Sequence, residues 1–357
     1  MKIFQAVYNP YEALTPYMHT FMSCISSQYG DVKWGWGPEK IWTAEIFSYE
    51  IIHIHWPDLL LCNHTPQELE KKIKEIKSKN IVILCTCHNL VPHYCNNPQR
   101  IEAYNIVYRL SDYMIHLGTY SLNIQKNLFT KTTHVYLPHH VYNNVYKKFF
   151  SKKESCSKLG IPSSSINILC FGTFRSDEER LLVKKVAKEL KKENVYIIAP
   201  NFWGVTHQGR LRKIRKYLKI FFYKKNYHII TNNKESVSDN DLPLYYGASD
   251  IAFIQRLKIL NSGTVPMAFL MRKAVVGPNE GNVSELLKET HNFVFDPQSF
   301  SSIIHALKNA LHSNYLKKGF QNHNYAMQFL STEKISQQLH NLYLHIAAEK
   351  ALSKDCQ

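Results

Sequence analysis

Two short stretches place histidines where a strand would hand over to a loop. The run 51-IIHIHWPD-58 is β-branched and stops at Pro57, and its alternation puts His53 and His55 on one face with His55 nearer the tip. The run 81-IVILCTC-87 leads into 88-HNLVPH-93, so His88 sits at a second tip. An imidazole at such a place can take up or deliver a proton near neutral pH. A buried, partnered His53 and a loop-capping His88 would satisfy the same sequence, but two such tips together favour a site. Cys85, Cys87, His88, His93 and Cys95 crowd this region without any Cys-x-x-Cys spacing, and the first two fall inside the strand. Thiols there act as small hydrophobes, and no metal ion is expected.

A second chemistry, phosphate binding, suits two strand ends further on. In 172-GTFRSDEER-180, Gly172 permits a tight turn and Arg175 precedes a helix start, where a guanidinium and a positive dipole end meet. Arg175 could instead pair with Asp177 or Glu178. In 255-QRLKILNSGT-264, Arg256 and Lys258 are followed by Asn261, Ser262, Gly263 and Thr264 at the start of an apolar helix. Unpaired amides at that start could hold a phosphate directly, or Ser262 could simply cap the helix. Cations beside helix starts at two tips favour a diphosphate. The triplet 239-DND-241 directly precedes 242-LPLYYGAS-249, so Asp241 is expected to cap that helix rather than bind a metal.

The elements that must position these residues alternate. Strands are expected at 2–8, 31–36, 50–56, 81–87, 113–118 and 133–138, with helices at about 11–27, 65–79, 98–110 and 120–129. Thr65, Pro66 and Glu68 form a capping-box start. A Lys-rich passage over 147–165 precedes a second series, with strands at 166–172, 194–200, 227–231, 250–254 and 292–296. Helices are expected there at 176–192 (capped by Ser176) and 242–249, and over roughly 321–348. This is an α/β chain of two doubly wound halves, a division that 357 residues accommodate. Ligands of open α/β sheets bind beyond the carboxyl ends of the strands, so two such domains would face each other across a cleft.

The formal net charge of +16 implies an anionic partner: a phosphorylated substrate, an acidic lipid surface or a nucleic acid. Residues 194–234 contain no acid, and 210-RLRKIRKYLKIFFYKK-225 carries eight Lys or Arg with Leu211, Ile214, Leu218 and Phe221 at helical spacing. That helix either lies on an anionic membrane or packs its apolar stripe on its own domain. No stacking module accompanies it, so nucleic acid is not an expected partner. No run of 18 apolar residues is present, and the first residues lack a signal-peptide pattern. Eight cysteines without a spacing framework fit reduced thiols. The expectation is a cytoplasmic protein, with peripheral contact to the inner face of a membrane as its further possibility.

The order of 51-IIHIHWPD-58, 84-LCTCHN-89, 136-YLPHHVYNNVY-146, 159-LGIP-162, 168-ILCFGTFR-175, 242-LPLYYGASDIAFI-254 and 261-NSGTVPMAFLMRKAVVGPNEGNVSELL-287 resembles GT-B glycosyltransferases, close to family 4. The resemblance spans about residues 1–330 and implies two Rossmann-like domains. Residues 1–150 would take the acceptor and 151–325 the donor nucleotide sugar, and 326–357 would be a C-terminal helix crossing back to the first. It implies a metal-independent hexosyltransferase needing no cofactor beyond that substrate, acting on a glycan or lipid-linked acceptor in polysaccharide or glycoconjugate synthesis. Carried over, Arg175 and the 261-NSGT-264 amides meet the diphosphate, His55 stands beside the reacting sugar with His88 as second candidate, and Glu285 lies near the nucleotide. Tyr11, Glu12, Trp56 and Asn89 fall on the acceptor side. Two departures stand out. The Lys that often follows the Arg is replaced by Glu178 or Glu179, and the usual glutamates eight apart are Ile259 or Leu260 and Met267. Arg256 or Lys258 would replace the lost cation. Rival readings are a nucleotide-sugar epimerase or hydrolase on the same fold, and a non-catalytic basic membrane- or nucleic-acid-binding protein.

Overall fold

The computed structural model describes residues 1–12, 16–92, 97–203, 210–231 and 237–355. His93 and Cys95 therefore lie outside the described residues. The chain divides into two compact units, Met1–Val145 with Leu330–Gln357, and Tyr146–Phe329.

The first unit holds β1 (Lys2–Ala6), β2 (Lys33–Trp36), β3 (Ile51–Ile54), β4 (Val82–Cys87), β5 (Tyr113–His116) and β6 (Thr133–Tyr136) in the order β2-β1-β3-β4-β5-β6. The second holds β7 (Ile166–Leu169), β8 (Val195–Ile198), β9 (Ile229–Ile230), β10 (Ile251–Phe253), β11 (Ala274–Pro278) and β12 (Phe293–Phe295) in the order β12-β11-β10-β7-β8-β9. Every strand pairing is parallel. Parallel strands need crossover connections, and helices cover both faces, which is why these strands read as continuous apolar runs. The winding reverses between β1 and β3 in one sheet and between β7 and β10 in the other.

Local signals act as their chemistry demands. Thr65 Oγ1 accepts from the Glu68 amide while Glu68 returns a bond to the Thr65 amide, starting the helix Pro66–Ser78. Ser176 caps Asp177–Leu190 through the Glu179 amide. Three expectations are corrected. The helix foreseen from Tyr11 begins at Tyr17, because Asn9 Oδ1 and its carbonyl take the Tyr11 and Glu12 amides into a turn ahead of Pro16. The helix Leu242–Ala248 is not capped by the Asp241 side chain; the Asp241 amide instead donates to Ser238 Oγ. The closing stretch is two helices, Tyr315–Phe329 and Thr332–Asp355. The second starts where Asn143 Oδ1 accepts the Thr332 amide and the Thr332 hydroxyl donates to the Val141 carbonyl.

Thr332–Asp355 sends Ile335, Leu339, Tyr343 and Ile346 into the core of the first unit, beside Met18, Phe21, Met22 and Ile25 of the helix Tyr17–Gln28. Alternation makes the covered face apolar at the strand starts (Ile3, Ile51, Leu84) and polar above (Gln5, His53, Thr86). Buried polar groups need partners. Gln5 Nε2 donates to the Tyr343 hydroxyl at 3.1 Å, that hydroxyl shares a hydrogen bond with His53 Nδ1 at 2.7 Å, and His53 Nε2 shares one with Thr86 Oγ1 at 2.7 Å. Replacing Tyr343 by Phe strips partners from two buried groups at once. It is expected to cost about 2–4 kcal/mol in urea unfolding; a loss below about 0.5 kcal/mol would refute that role.

Burial holds several imidazoles of this unit neutral. His53 is pushed down to about 3, its burial reinforced by the nearby His88, and His116 to about 3 by burial and by His134. His139 is lowered to about 4, and His55 and His140 well below the usual value. In the unfolded chain these groups titrate near 6.5. Their full contribution to stability is therefore present above about pH 6.5 and is lost as pH falls toward 4, by roughly 1.4 kcal/mol per pH unit for each histidine. Four of the five tryptophans, Trp34, Trp36, Trp42 and Trp56, belong to this unit, so tryptophan fluorescence reports it. The urea midpoint followed this way should fall steeply between pH 7.5 and pH 5; a flat profile would show that these rings are protonated in the fold.

Candidate functional site

At the first reversal point, the ends of β1 and β3 carry Gln5 and His55 on the same face. His55 is fully buried, its Nε2 donates to Gln5 Oε1 at 3.1 Å, and its Nδ1 lies 3.0 Å from His88 Nε2. With the Gln5 amide so oriented, His55 must present its Nδ1 lone pair, and His88 must donate from Nε2. The bonds therefore run unbroken from Thr86 through His53, Tyr343, Gln5 and His55 to His88, and the Gln5 amide sets the tautomers of His55 and His88. Trp56 stacks on His88, with ring centroids 5.0 Å apart and planes at 16°. Tyr17 meets the edges or faces of four imidazoles, those of His55, His88, His139 and His140, at 4.9–6.1 Å. His140 Nε2 lies 2.7 Å from Thr20 Oγ1, and His139 Nδ1 donates to the His140 carbonyl at 2.7 Å.

The sequence-derived residues of this unit thus divide. His55, His88 and Trp56 form one group. Tyr11 is exposed, packs its edge on Trp36 at 5.7 Å and lies 6.3 Å from the His19 ring, while Glu12 accepts from Asn9 Nδ2. The Asn89 carbonyl accepts from the Tyr108 hydroxyl. Sequence reasoning missed Gln5, Tyr17, His139, His140 and Tyr343. Gln5 did leave a signal, as a polar break in an otherwise apolar strand. Cys85 and Cys87 are buried strand residues whose thiols burial pushes upward, Cys87 to about 12. Among the described residues, no group of three or more His, Cys, Asp or Glu is placed to hold a metal ion.

At the second reversal point, the loops after β7 and β10 are joined by one carboxylate. Glu179, largely buried, accepts the Arg175 amide on Oε2 at 2.9 Å and the Arg256 Nε on Oε1 at 3.1 Å. Arg256 Nη2 also donates to the Thr173 carbonyl at 2.8 Å. Asp177, which might have taken Arg175, pairs with Arg180. Arg175 and Lys258 are exposed. Gly172 has φ +105°, a conformation that favours glycine, and a Cβ there would lie 3.8 Å from Thr264 Oγ1, so the two loops run side by side. Ser262 Oγ accepts the Thr264 amide at 3.2 Å, which ties it to the turn before the short helix Thr264–Leu270.

The far end of that loop rests on the helix Gly281–Glu289. Asn261 Oδ1 accepts from Asn282 Nδ2 at 2.8 Å, and the Asn282 amide donates to the Leu260 carbonyl at 2.9 Å. Gly281 has φ +56°, and a Cβ on it would lie 2.5 Å from the Ile259 carbonyl. Glu285 follows Asn282 by one helical turn. Arg175, Arg256, Asn261, Ser262, Gly263 and Thr264 therefore belong to one contiguous set of loops, with Lys258 on its outside and Glu285 on the helix against which it rests.

The sequence matches no protein-family model and no curated protein. Solved structures do match. Anabaena HepE in complex with UDP-glucose has a TM-score of 0.69 at 13% identity, over 97% of this chain and 100% of that one. A glycosyltransferase from Rickettsia africae ESF-5 gives 0.66 at 13%, over 97% and 98%. Sucrose-phosphate synthase from Thermosynechococcus elongatus gives 0.66 at 13%, over 92% and 77%. These likenesses establish the architecture: two Rossmann-like units, each on a six-stranded parallel sheet, in the GT-B fold of glycosyltransferases.

Proposed function

We propose that this protein transfers a sugar, as a hexosyltransferase of the family 4 type, from a nucleoside-diphosphate sugar to a hydroxyl of a glycan or lipid-linked acceptor. The observation that carries this reading is the loop pair at the β7/β10 reversal, where Arg175, Lys258 and the 261–264 segment meet the part of the sheet at which open α/β folds take ligands. The GT-B fold and a neighbour solved with UDP-glucose support it. As the sugar departs, negative charge grows on the nucleoside diphosphate. Arg175 and Lys258, with Arg256 beside them, are the cations that would stabilise it, so the chain's own groups rather than a metal carry that charge. The nucleotide sugar is the substrate, and no resident cofactor enters the reading.

On the acceptor side, His88 is the group that would receive or orient the hydroxyl proton, and His55 positions it. His55 is kept neutral by burial and so offers a lone pair to His88 at every pH near neutrality. Trp56 stacked on that ring gives a flat apolar surface against which the acceptor would lie. Six cysteines among the described residues are free thiols, which suits the reducing cytoplasm.

A thermal-shift screen with UDP, GDP, ADP and CMP tests the donor side, because a ligand that binds the folded chain stabilises it by an amount that grows with the logarithm of its affinity. One diphosphate should raise the melting temperature, UDP being the first to try, and Arg175→Ala should weaken that nucleotide about 10- to 100-fold. No shift with any nucleotide would remove the donor site. On the acceptor side, His88→Ala should lower kcat by roughly 10²- to 10⁴-fold while leaving the nucleotide shift intact. Sugar release to water as fast as transfer would instead indicate a hydrolase.

A further inference from the structure

The basic helix of the second unit, Arg210–Tyr227, turns three apolar residues of its second half outward. Leu218, Phe221 and Phe222 are 65%, 67% and 50% exposed. Their i, i+3, i+4 spacing puts them on one side of the helix. The opposite side is already occupied. Tyr223 lies 5.6 Å from Phe202 and 5.0 Å from Trp203, and Tyr227 lies 5.3 Å from Tyr223. Lys184 sits over the Tyr223 and Tyr227 rings, and Lys219 over Trp203 at 5.6 Å. Lys224 Nζ donates to the Gly160 carbonyl at 2.9 Å. The helix is therefore fastened to its unit by aromatic rings, while Leu218 and Phe221, which might have done so, face solvent. Of the two fates the sequence left open to Leu218 and Phe221, packing on their own domain is excluded.

We infer that this face docks on an anionic bilayer surface, with Leu218, Phe221 and Phe222 entering the boundary between headgroups and acyl chains. Charge selects the occupant. No acid occurs from residue 194 to 234, and Arg or Lys stands at five of the seven positions 210–216, with Lys225 exposed beside Phe221 and Phe222. Each basic residue near such a surface strengthens binding about five-fold, so the attraction is cumulative. A second copy of the chain would bring the same cations against one another, which disfavours a symmetric pair. No helix among the described residues is long and apolar enough to cross a membrane, so this one would lie in the plane of the interface. The inference does not depend on the proposed sugar transfer.

Co-sedimentation of the full chain with vesicles of phosphatidylcholine alone, or with 30% phosphatidylglycerol, tests it. The anionic vesicles should bind at least ten-fold more tightly in 100 mM NaCl, and most of that gain should vanish in 500 mM NaCl. The triple variant Leu218→Ser, Phe221→Ser, Phe222→Ser keeps the net charge and alters only exposed positions. It should melt as the parent does and lose at least ten-fold in binding to anionic vesicles. Phe221→Trp should shift its emission to the blue on those vesicles alone. Triple-variant binding equal to the parent's would overturn the inference. So would a concentration-dependent dimer abolished by that variant, or RNA binding without any vesicle binding.

Discussion

A parallel sheet whose winding reverses must leave two adjacent strands with their following loops bent to opposite faces, and no crossover helix can fill the gap between them. That constraint acts twice in this chain, at β1/β3 and at β7/β10. Nearly every residue with chemical potential gathers there. Gln5 and His55 end the first pair; Gly172 and Arg256 follow the second. The remainder of each unit holds these four strand ends in register. The opposite ends do something different. Lys152, Asp250 and Asn167 form a hydrogen-bonded cluster at the starts of β7 and β10, with the Asp250 carboxylate accepting both the Lys152 ammonium and the Asn167 amide at 2.7–2.8 Å. Such a cluster pins the starts of the two strands to each other.

The polar layer of the first unit shows how a site can be built inside a core. Gln5, His53 and Thr86 lie where alternation calls for apolar side chains, and each would be costly to bury alone. The C-terminal helix supplies the missing partner, Tyr343, from some three hundred residues away in sequence. With the Gln5 amide donating to Tyr343, the direction of the hydrogen bonds from Gln5 through His55 to His88 follows from that one amide. A fixed tautomer at His88 is therefore a product of packing at a distance, and the burial that holds His53 and His55 neutral is part of the same arrangement.

Much of the architecture was legible in the sequence because its signals are local. Thr65 and Glu68 announce a capping box, Ser176 a cap, and the β-branched runs at 51–54 and 82–87 their strands. Histidine alternation placed His53 and His55 on one face, and their rings do lie 4.1 Å apart. What escaped depends on contacts far apart in the chain. Nothing near Tyr343 marks it as the partner of Gln5, and nothing near Glu179 marks it as the latch between two loops. The helix start was misjudged because the Asx turn at Asn9 competes for the amides of Tyr11 and Glu12. Periodicity left the fate of the basic helix open for a related reason: its spacing shows that Leu218 and Phe221 share a face, but not whether Tyr223, Tyr227 and Trp203 have already taken the inner one.

Glu179 also reframes the departure from the family pattern. A lysine near this position would add a cation at the strand end, and its loss in favour of an acid looks at first like a weakened phosphate site. The acid is not directed outward, however. Its two oxygens are used on the Arg175 amide and the Arg256 guanidinium, so it fixes the backbone that carries one cation while holding a second in place. A carboxylate in this position lowers the net positive charge but preorganises the groups that remain, and preorganised donors need little rearrangement when charge develops on a bound ligand. The strand end thus carries one partly buried ion pair together with the exposed Arg175 and Lys258. In the proposed reading, attraction for a diphosphate would come chiefly from those two side chains and the adjoining loop amides, while Arg256 and Glu179 hold the geometry in which they act.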